Sequence, residues 1–138
     1  MNIDRFAKDY LLRAKERLLD AASALKRKSY PEVIRYSQEA TELSLKASLR
    51  MIGVEYPKVH DVGDVLISCR DRFPKWFADE VPRLARFSRL MAEKRSAALY
   101  GVEAAGKAPG EIFNDPDEAE EALAEAGRVH ELCSKLVG

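Results

Sequence analysis

The sequence predicts an all-α fold, an antiparallel bundle of four to five helices forming a single domain over residues 1–138. Three observations carry that prediction. Apolar residues recur at intervals of three and four over long stretches. Pro, Gly and short polar residues stand where helices start and stop. No segment alternates with the period of two that a strand requires, and no repeat of 20–50 residues appears.

The first helix is expected at about residues 3–27, on the stripe Ile3, Ala7, Tyr10, Ala14, Leu18, Ala21 and Leu25. Lys26, Arg27 and Lys28 close it and suit the negative end of the helix dipole. Ser29-Tyr30-Pro31-Glu32 then matches a capping box, with Pro31 tolerated in the first turn. The second helix carries Val33, Ser37, Ala40, Ser44, Ala47 and Met51, mostly small side chains that let a neighbouring helix come close, and Gly53 and Pro57 end it. Asp61 is the expected cap of a third helix running through Ile67 to Arg70, and Pro74 breaks the pattern before the aromatic pair Trp76 and Phe77.

Pro82 fits the first turn of a fourth helix. Counted at 100° per residue from Leu84, the side chains of Phe87, Ser88, Met91, Arg95, Ala98, Leu99 and Val102 all fall within about 60° of it, which marks that face as buried. GVEAAGKAPGEIFN reads as a loop, and Asp115-Pro116-Asp117-Glu118 as the start of a fifth helix. Its stripe is Ala119, Ala122, Leu123, Ala126, Val129, Cys133 and Leu136. Such a set of faces implies a bundle.

Composition narrows the function. The chain has 138 residues, 46% hydrophobic and 33% charged, a balance that a packed domain satisfies without metal or disulfide staples. No apolar run approaches the roughly 18 residues needed to cross a bilayer, and MNIDRFAKDY is charged where a signal peptide would be apolar, so a cytoplasmic protein without a membrane role is expected. Cys69 and Cys133 read as small buried hydrophobes, and no C-x-x-C pair or His cluster suggests a metal. No cofactor is expected. Formal net charge is zero, which argues against binding nucleic acid by bulk attraction. The charge is uneven, however. Residues 1–52 hold 11 Lys or Arg against 7 acids, residues 70–95 hold 8 against 4, and residues 103–138 hold 3 against 9. Neutralisation of the basic helices by the acidic last helix is the simpler reading, and a basic surface for phosphate the sharper one.

SQEATELSLKASL (Ser37 to Leu49), KVHDVGDVL (Lys58 to Leu66) and RSAALYG (Arg95 to Gly101), in that order and with a final helix opened by Asp-Pro, resemble a HEPN domain across nearly the whole chain. The resemblance implies a homodimer, often encoded beside a minimal nucleotidyltransferase in prokaryotic toxin–antitoxin pairs. It further implies RNA or nucleotide chemistry, with the active members acting as metal-independent ribonucleases. The motif of those members is an Arg, commonly followed by a polar residue, with a His four to six residues on. Arg95 and Ser96 match its first elements, whereas Tyr100, Gly101 and Val102 stand at the positions the His would occupy. Little or no ribonuclease turnover is the consequence. A non-catalytic helical dimer holding a protein partner is the alternative.

Arg95 and Tyr100 are the candidate catalytic residues. Arg95 lies near the centre of an apolar face, where an unpaired guanidinium is costly, so it requires either an ion pair within the bundle or a cleft where its planar fork clamps a phosphate. Tyr100, five residues on, falls about 140° round the helix and meets Arg95 only if the helix unwinds or a partner subunit supplies it. His60 reads as a structural hydrogen bond in the turn after the second helix, and His130 as a satisfied core or interface histidine. Arg83, Arg86, Arg89 and Lys94 form a basic ridge, solvated by default.

Overall fold

The computed structural model describes residues 2–138, with side chains from residue 5 onward, so the side chain of Ile3 lies outside the described residues. Four long helices are built where the periodicity places them: α1 (Asn2–Lys26), α2 (Tyr30–Met51), α5 (Val81–Tyr100) and α7 (Pro116–Val137). The expected third helix is α3 (Gly63–Ser68), shorter than the pattern implied and followed by a 3₁₀ turn at Arg70–Arg72. The aromatic segment forms a single turn, α4 (Lys75–Ala78), and the expected loop after α5 contains another, α6 (Pro109–Ile112). Among the described residues there is no strand, and no helix is long and apolar enough to cross a membrane.

α2 is the centre of the bundle. α1, α5 and α7 all pack against it, and α1 also meets α7. The small-residue stripe explains how: Val33, Ser37, Ala40, Ser44 and Ala47 are fully buried, and with Cβ-sized side chains at the contact the neighbouring axes come close. On α1 the buried line is Ala7, Leu11, Ala14, Ala21 and Ala24, while Tyr10, Leu18 and Leu25 of the expected stripe are only half-buried. Larger side chains fill the two ends. Leu45, Leu49, Val62, Leu66, Phe77, Val81 and Leu84 form one cluster, closed by the mutually tilted rings of Phe73 and Phe77, whose centroids are 4.6 Å apart. At the other end Phe113, carried in beyond α6, packs with Ile34, Met91 and Ala98.

The helix ends correct several expectations. Ser29 occupies the cap position of α2, but its side chain makes no cap hydrogen bond and Glu32 turns to Arg35, so the capping box does not form. The α1–α2 turn is instead closed by backbone bonds from Ser29 N–H to Ala24 and from Lys28 N–H to Leu25, with Lys28 in the left-handed region at φ 60. Asp61 does start α3, from one residue further out: its Oδ1 accepts from Gly63 N–H at 2.8 Å. The same oxygen accepts from Ser88 Oγ of α5 at 3.0 Å, and Ser88 Oγ accepts in turn from Val62 N–H at 3.1 Å. Gly63 is required because a Cβ there would meet the Ala85 backbone oxygen at 2.8 Å. Asp115 caps α7 as expected, accepting from Asp117 N–H at 2.9 Å.

Val102 is not part of the buried face of α5. The helix stops at Tyr100, Gly101 takes φ 74, and Val102 pairs with Lys107 through two backbone hydrogen bonds of 2.8 and 3.1 Å. A side chain at Gly101 would collide with the Lys107 carbonyl as well as strain the backbone. We therefore expect Gly101→Ala to lower stability by roughly 1–3 kcal/mol. Lys28→Gly, which relieves a left-handed non-glycine residue, should raise stability by up to about 1 kcal/mol. Urea unfolding of the two variants beside the parent checks both signs.

Candidate functional site

On α2, Gln38, Glu42 and Lys46 follow one another at intervals of four and so share one face of the helix. Their side chains form a continuous polar line. Gln38 donates to Glu42 Oε1 at 2.9 Å, and Lys46 Nζ donates to Glu42 Oε2 at 2.7 Å. From the loop before α3, His60 Nδ1 lies 2.8 Å from Glu42 Oε1. From α5, Arg95 Nη1 donates to Gln38 Oε1 at 2.8 Å and to Glu39 Oε2 at 3.1 Å, and Glu39 also accepts from Arg35 at 3.3 Å. Arg95, Gln38, Glu42 and His60 are thus one hydrogen-bonded chain spanning three elements.

The Glu42 carboxylate is 18% exposed. Burial works to raise its pKa, but hydrogen bonds from Lys46, Gln38 and His60 and the charge of Lys46 outweigh it, and the group is held below its ordinary value of 4.5. It is ionised at neutral pH. An ionised carboxylate only accepts, so the His60 Nδ1 that bonds it carries a proton. The His60 side chain is 54% exposed, whereas that of Arg95 is 23% exposed.

Both residues open onto a cleft of about 290 Å³, lined also by Arg13, Glu16, Arg17, Glu39, Glu42 and Leu43. The isolated guanidinium predicted for the apolar face of α5 therefore finds partners on α2. Only Nη1 is used for them; Nε and Nη2 of Arg95 form no hydrogen bond among the described residues. That leaves the side-on fork, the edge with which an Arg grips a phosphate or carboxylate. A larger cavity of about 670 Å³ continues the groove, sharing Arg13 and Glu42 and adding Tyr10, Arg50 and Tyr56. Burial pushes the Tyr56 phenol up to about 12, with Tyr10 adding to the rise and Arg50 opposing it.

The other sequence candidates lie elsewhere. Tyr100 ends α5, is 74% exposed and does not line the Arg95 cleft. His130 Nε2 is 3.0 Å from the Leu11 carbonyl oxygen, the satisfied histidine expected of it. The basic ridge of α5 is largely cancelled within the chain. Arg83 grips Glu125 through two hydrogen bonds, Lys94 meets Glu118 at 2.8 Å, and Arg89 meets Asp64 at 2.9 Å. Cys133 is buried and Cys69 half-buried, both as free thiols that burial pushes up.

Sequence reasoning missed His60 as a neighbour of Arg95. The two are 35 residues apart in the chain, and only the α2 side chains between them join them. A signal existed in the line Gln38, Glu42 and Lys46, long polar side chains four residues apart on a helix that is otherwise largely buried.

A family model described as HEPN domain matches residues 7–136 of the chain. No curated protein and no solved structure is similar enough to match.

The Glu42 network makes a prediction about pH. A carboxylate held below its ordinary value binds its proton less tightly in the folded state, so its stabilisation is present above that value and is lost as pH falls through the lowered one. Between about pH 6 and about pH 3 the parent should therefore lose its stability advantage over Glu42→Gln. Urea unfolding at both pH values measures it; an advantage that is constant with pH would count against the network.

Proposed function

Because the chain belongs to the HEPN family, we propose that it is a nucleotide- or RNA-binding component of a nucleotidyltransferase-linked system of the toxin–antitoxin type, with Arg95 as its phosphate-binding residue. The observation that carries this reading is the Nε–Nη2 edge of Arg95. Gln38 and Glu39 fix Nη1, so the guanidinium is oriented before any ligand arrives, and Arg95 lines a cleft that also carries Arg13 and Arg17. Glu16, Glu39 and Glu42 line the same cleft; Glu39 and Glu42 are bonded to Arg35 and Lys46, and Arg17 is paired with Asp20. The site binds one or a few phosphates; formal neutrality of the chain argues against a long electrostatic track.

A homodimer is part of the proposal. The small-residue stripe of α2 is consumed inside the bundle, so the support moves to the outer side of α5, where Leu90 and the neighbouring Ile67 are 44% and 55% exposed. Light scattering coupled to size exclusion should return the mass of two chains; a concentration-independent mass of one chain removes this part.

The alternative is a non-catalytic interaction module, favoured by the pairing of Arg95 with Glu39, which gives that arginine a structural role. Arg95→Ala separates the readings. Its removal leaves Glu39 with Arg35 and Gln38 with Glu42, so no buried charge is stranded, and we expect a stability change below ~1 kcal/mol. RNA or nucleotide binding should weaken markedly, and Arg95→Lys should restore only part of it, since a point charge replaces a fork. Unfolding and binding are measured on the same preparations at fixed salt. A loss of roughly 3–5 kcal/mol with unchanged binding would mark Arg95 as structural and favour the interaction module.

A further inference from the structure

From the cavity of about 670 Å³ bordered by α1, α2 and the loop after α2, we propose that the chain has a second ligand site, centred on Arg50, that takes a small organic monocarboxylate with an apolar body. The proposal does not depend on the reading of Arg95.

Arg50 continues the polar line of α2, four residues beyond Lys46, and it is the exception among the half-buried arginines. Arg17, Arg35, Arg95 and Arg128 each bond a carboxylate, and Arg70 bonds the Ala78 carbonyl. Arg50 has neither kind of partner among the described residues, and its Nε is buried without a hydrogen bond. Aromatic rings hold it instead: its guanidinium carbon lies 4.5 Å from the Phe6 ring centre and 5.7 Å from that of Tyr10. A guanidinium drawn partly out of water with no acceptor is costly, and this one borders a cavity that an acceptor can enter. Tyr56 stands in the same lining. Burial pushes its phenol up to about 12, so the hydroxyl is a neutral donor at physiological pH.

The lining selects the ligand. Rings over the guanidinium leave its edge for bonding, and that planar edge matches the two oxygens of a carboxylate. Charge sets the valence. Lys46 is committed to Glu42 at 2.7 Å, and Arg13 and Lys58 are exposed and screened by solvent, so Arg50 is the one half-buried cation of this lining without a carboxylate among the described residues. One such cation neutralises one negative charge. A phosphate monoester carries about −1.5 to −2 at neutral pH and would set its second charge in a lining that already holds Glu42 and Glu55. Leu43, Val54 and the rings of Tyr10 and Tyr56 make up the apolar wall, against which a hydrocarbon or aryl body packs. The volume falls within the range of small-molecule sites, roughly 300–1,000 Å³.

The test titrates the full chain, labelled with ¹⁵N, with 3-phenylpropionate, its neutral amide 3-phenylpropanamide and inorganic phosphate at fixed salt and neutral pH. The carboxylate should give saturable amide shifts centred on Gly53, Val54 and Tyr56, with a Kd on the order of 1 mM for so small a probe. The amide should bind about 10-fold more weakly or worse, and phosphate should not displace the carboxylate. Arg50→Ala should weaken carboxylate binding at least about 10-fold, and Arg50→Lys should recover part of it. Should Arg50→Ala fail to fold, Tyr56→Phe, which removes one hydroxyl, should still cost a few-fold in Kd, about 2–10-fold. Absence of saturable shifts in the parent overturns the proposal, as does equal binding of acid and amide, which marks an apolar pocket only. Shifts centred on Glu16, Arg17 and Arg95, or displacement by phosphate, overturn it as well, and those two results leave the reading of Arg95 standing.

Discussion

The enclosure of α2 is the constraint on which the rest of the structure depends. Three long helices pack on it, so its side chains are chosen either to be small or to be satisfied from within. Thr41 and Ser44 return their hydroxyls to carbonyls four residues back, at 2.8 and 2.7 Å, and Ser48 bonds to the Leu45 carbonyl at 2.6 Å. This keeps hydroxyl groups buried at little cost and lets the helix present a nearly smooth surface to its neighbours. Small side chains give up apolar area, and the larger residues at the bundle ends, Phe77 and Leu49 at one and Phe113 and Met91 at the other, supply it.

The one face of α2 that is neither small nor apolar is the line through Gln38, Glu42 and Lys46. Its groups are too buried to rely on water, so they require partners from other elements, and that requirement joins α2 to α5 through Arg95 and to the following loop through His60. The same satisfaction of polar groups that stabilises the bundle also orients a guanidinium and an imidazole. A functional reading and a structural one are for this reason not exclusive at Arg95: Nη1 serves the fold, and Nε and Nη2 form no hydrogen bond among the described residues.

Charge is distributed on a similar logic. The acidic last helix neutralises its basic neighbours inside the chain, by Glu125 on Arg83 and Glu118 on Lys94, while its own Arg128 pairs with Glu80. Cations also line the groove between α1 and α2. Arg50, stacked at 4.5 Å over the Phe6 ring, has no carboxylate partner among the described residues, and Arg13 lines both cavities. The recognition proposed for such a groove is short-range and geometric, in keeping with a chain of zero formal charge.

The sequence by itself determined the long helices, their buried faces and the family. Helical periodicity is a local property, repeated over 20 or more residues in α1, α2, α5 and α7, so each stripe could be read without its neighbours. It also determined that Arg95 needs a partner, because a guanidinium on an apolar face is costly wherever that face packs. Helix ends were less legible: Ser29 and Glu32 have the residues of a capping box but find other partners, and the bridge between Val102 and Lys107 removes Val102 from a face its spacing had placed it on. Only the tertiary structure decided which residues share the cleft. His60 and Arg95 meet through two side chains of a third element, and no spacing along the chain encodes a contact that depends on how three helices and a loop pack.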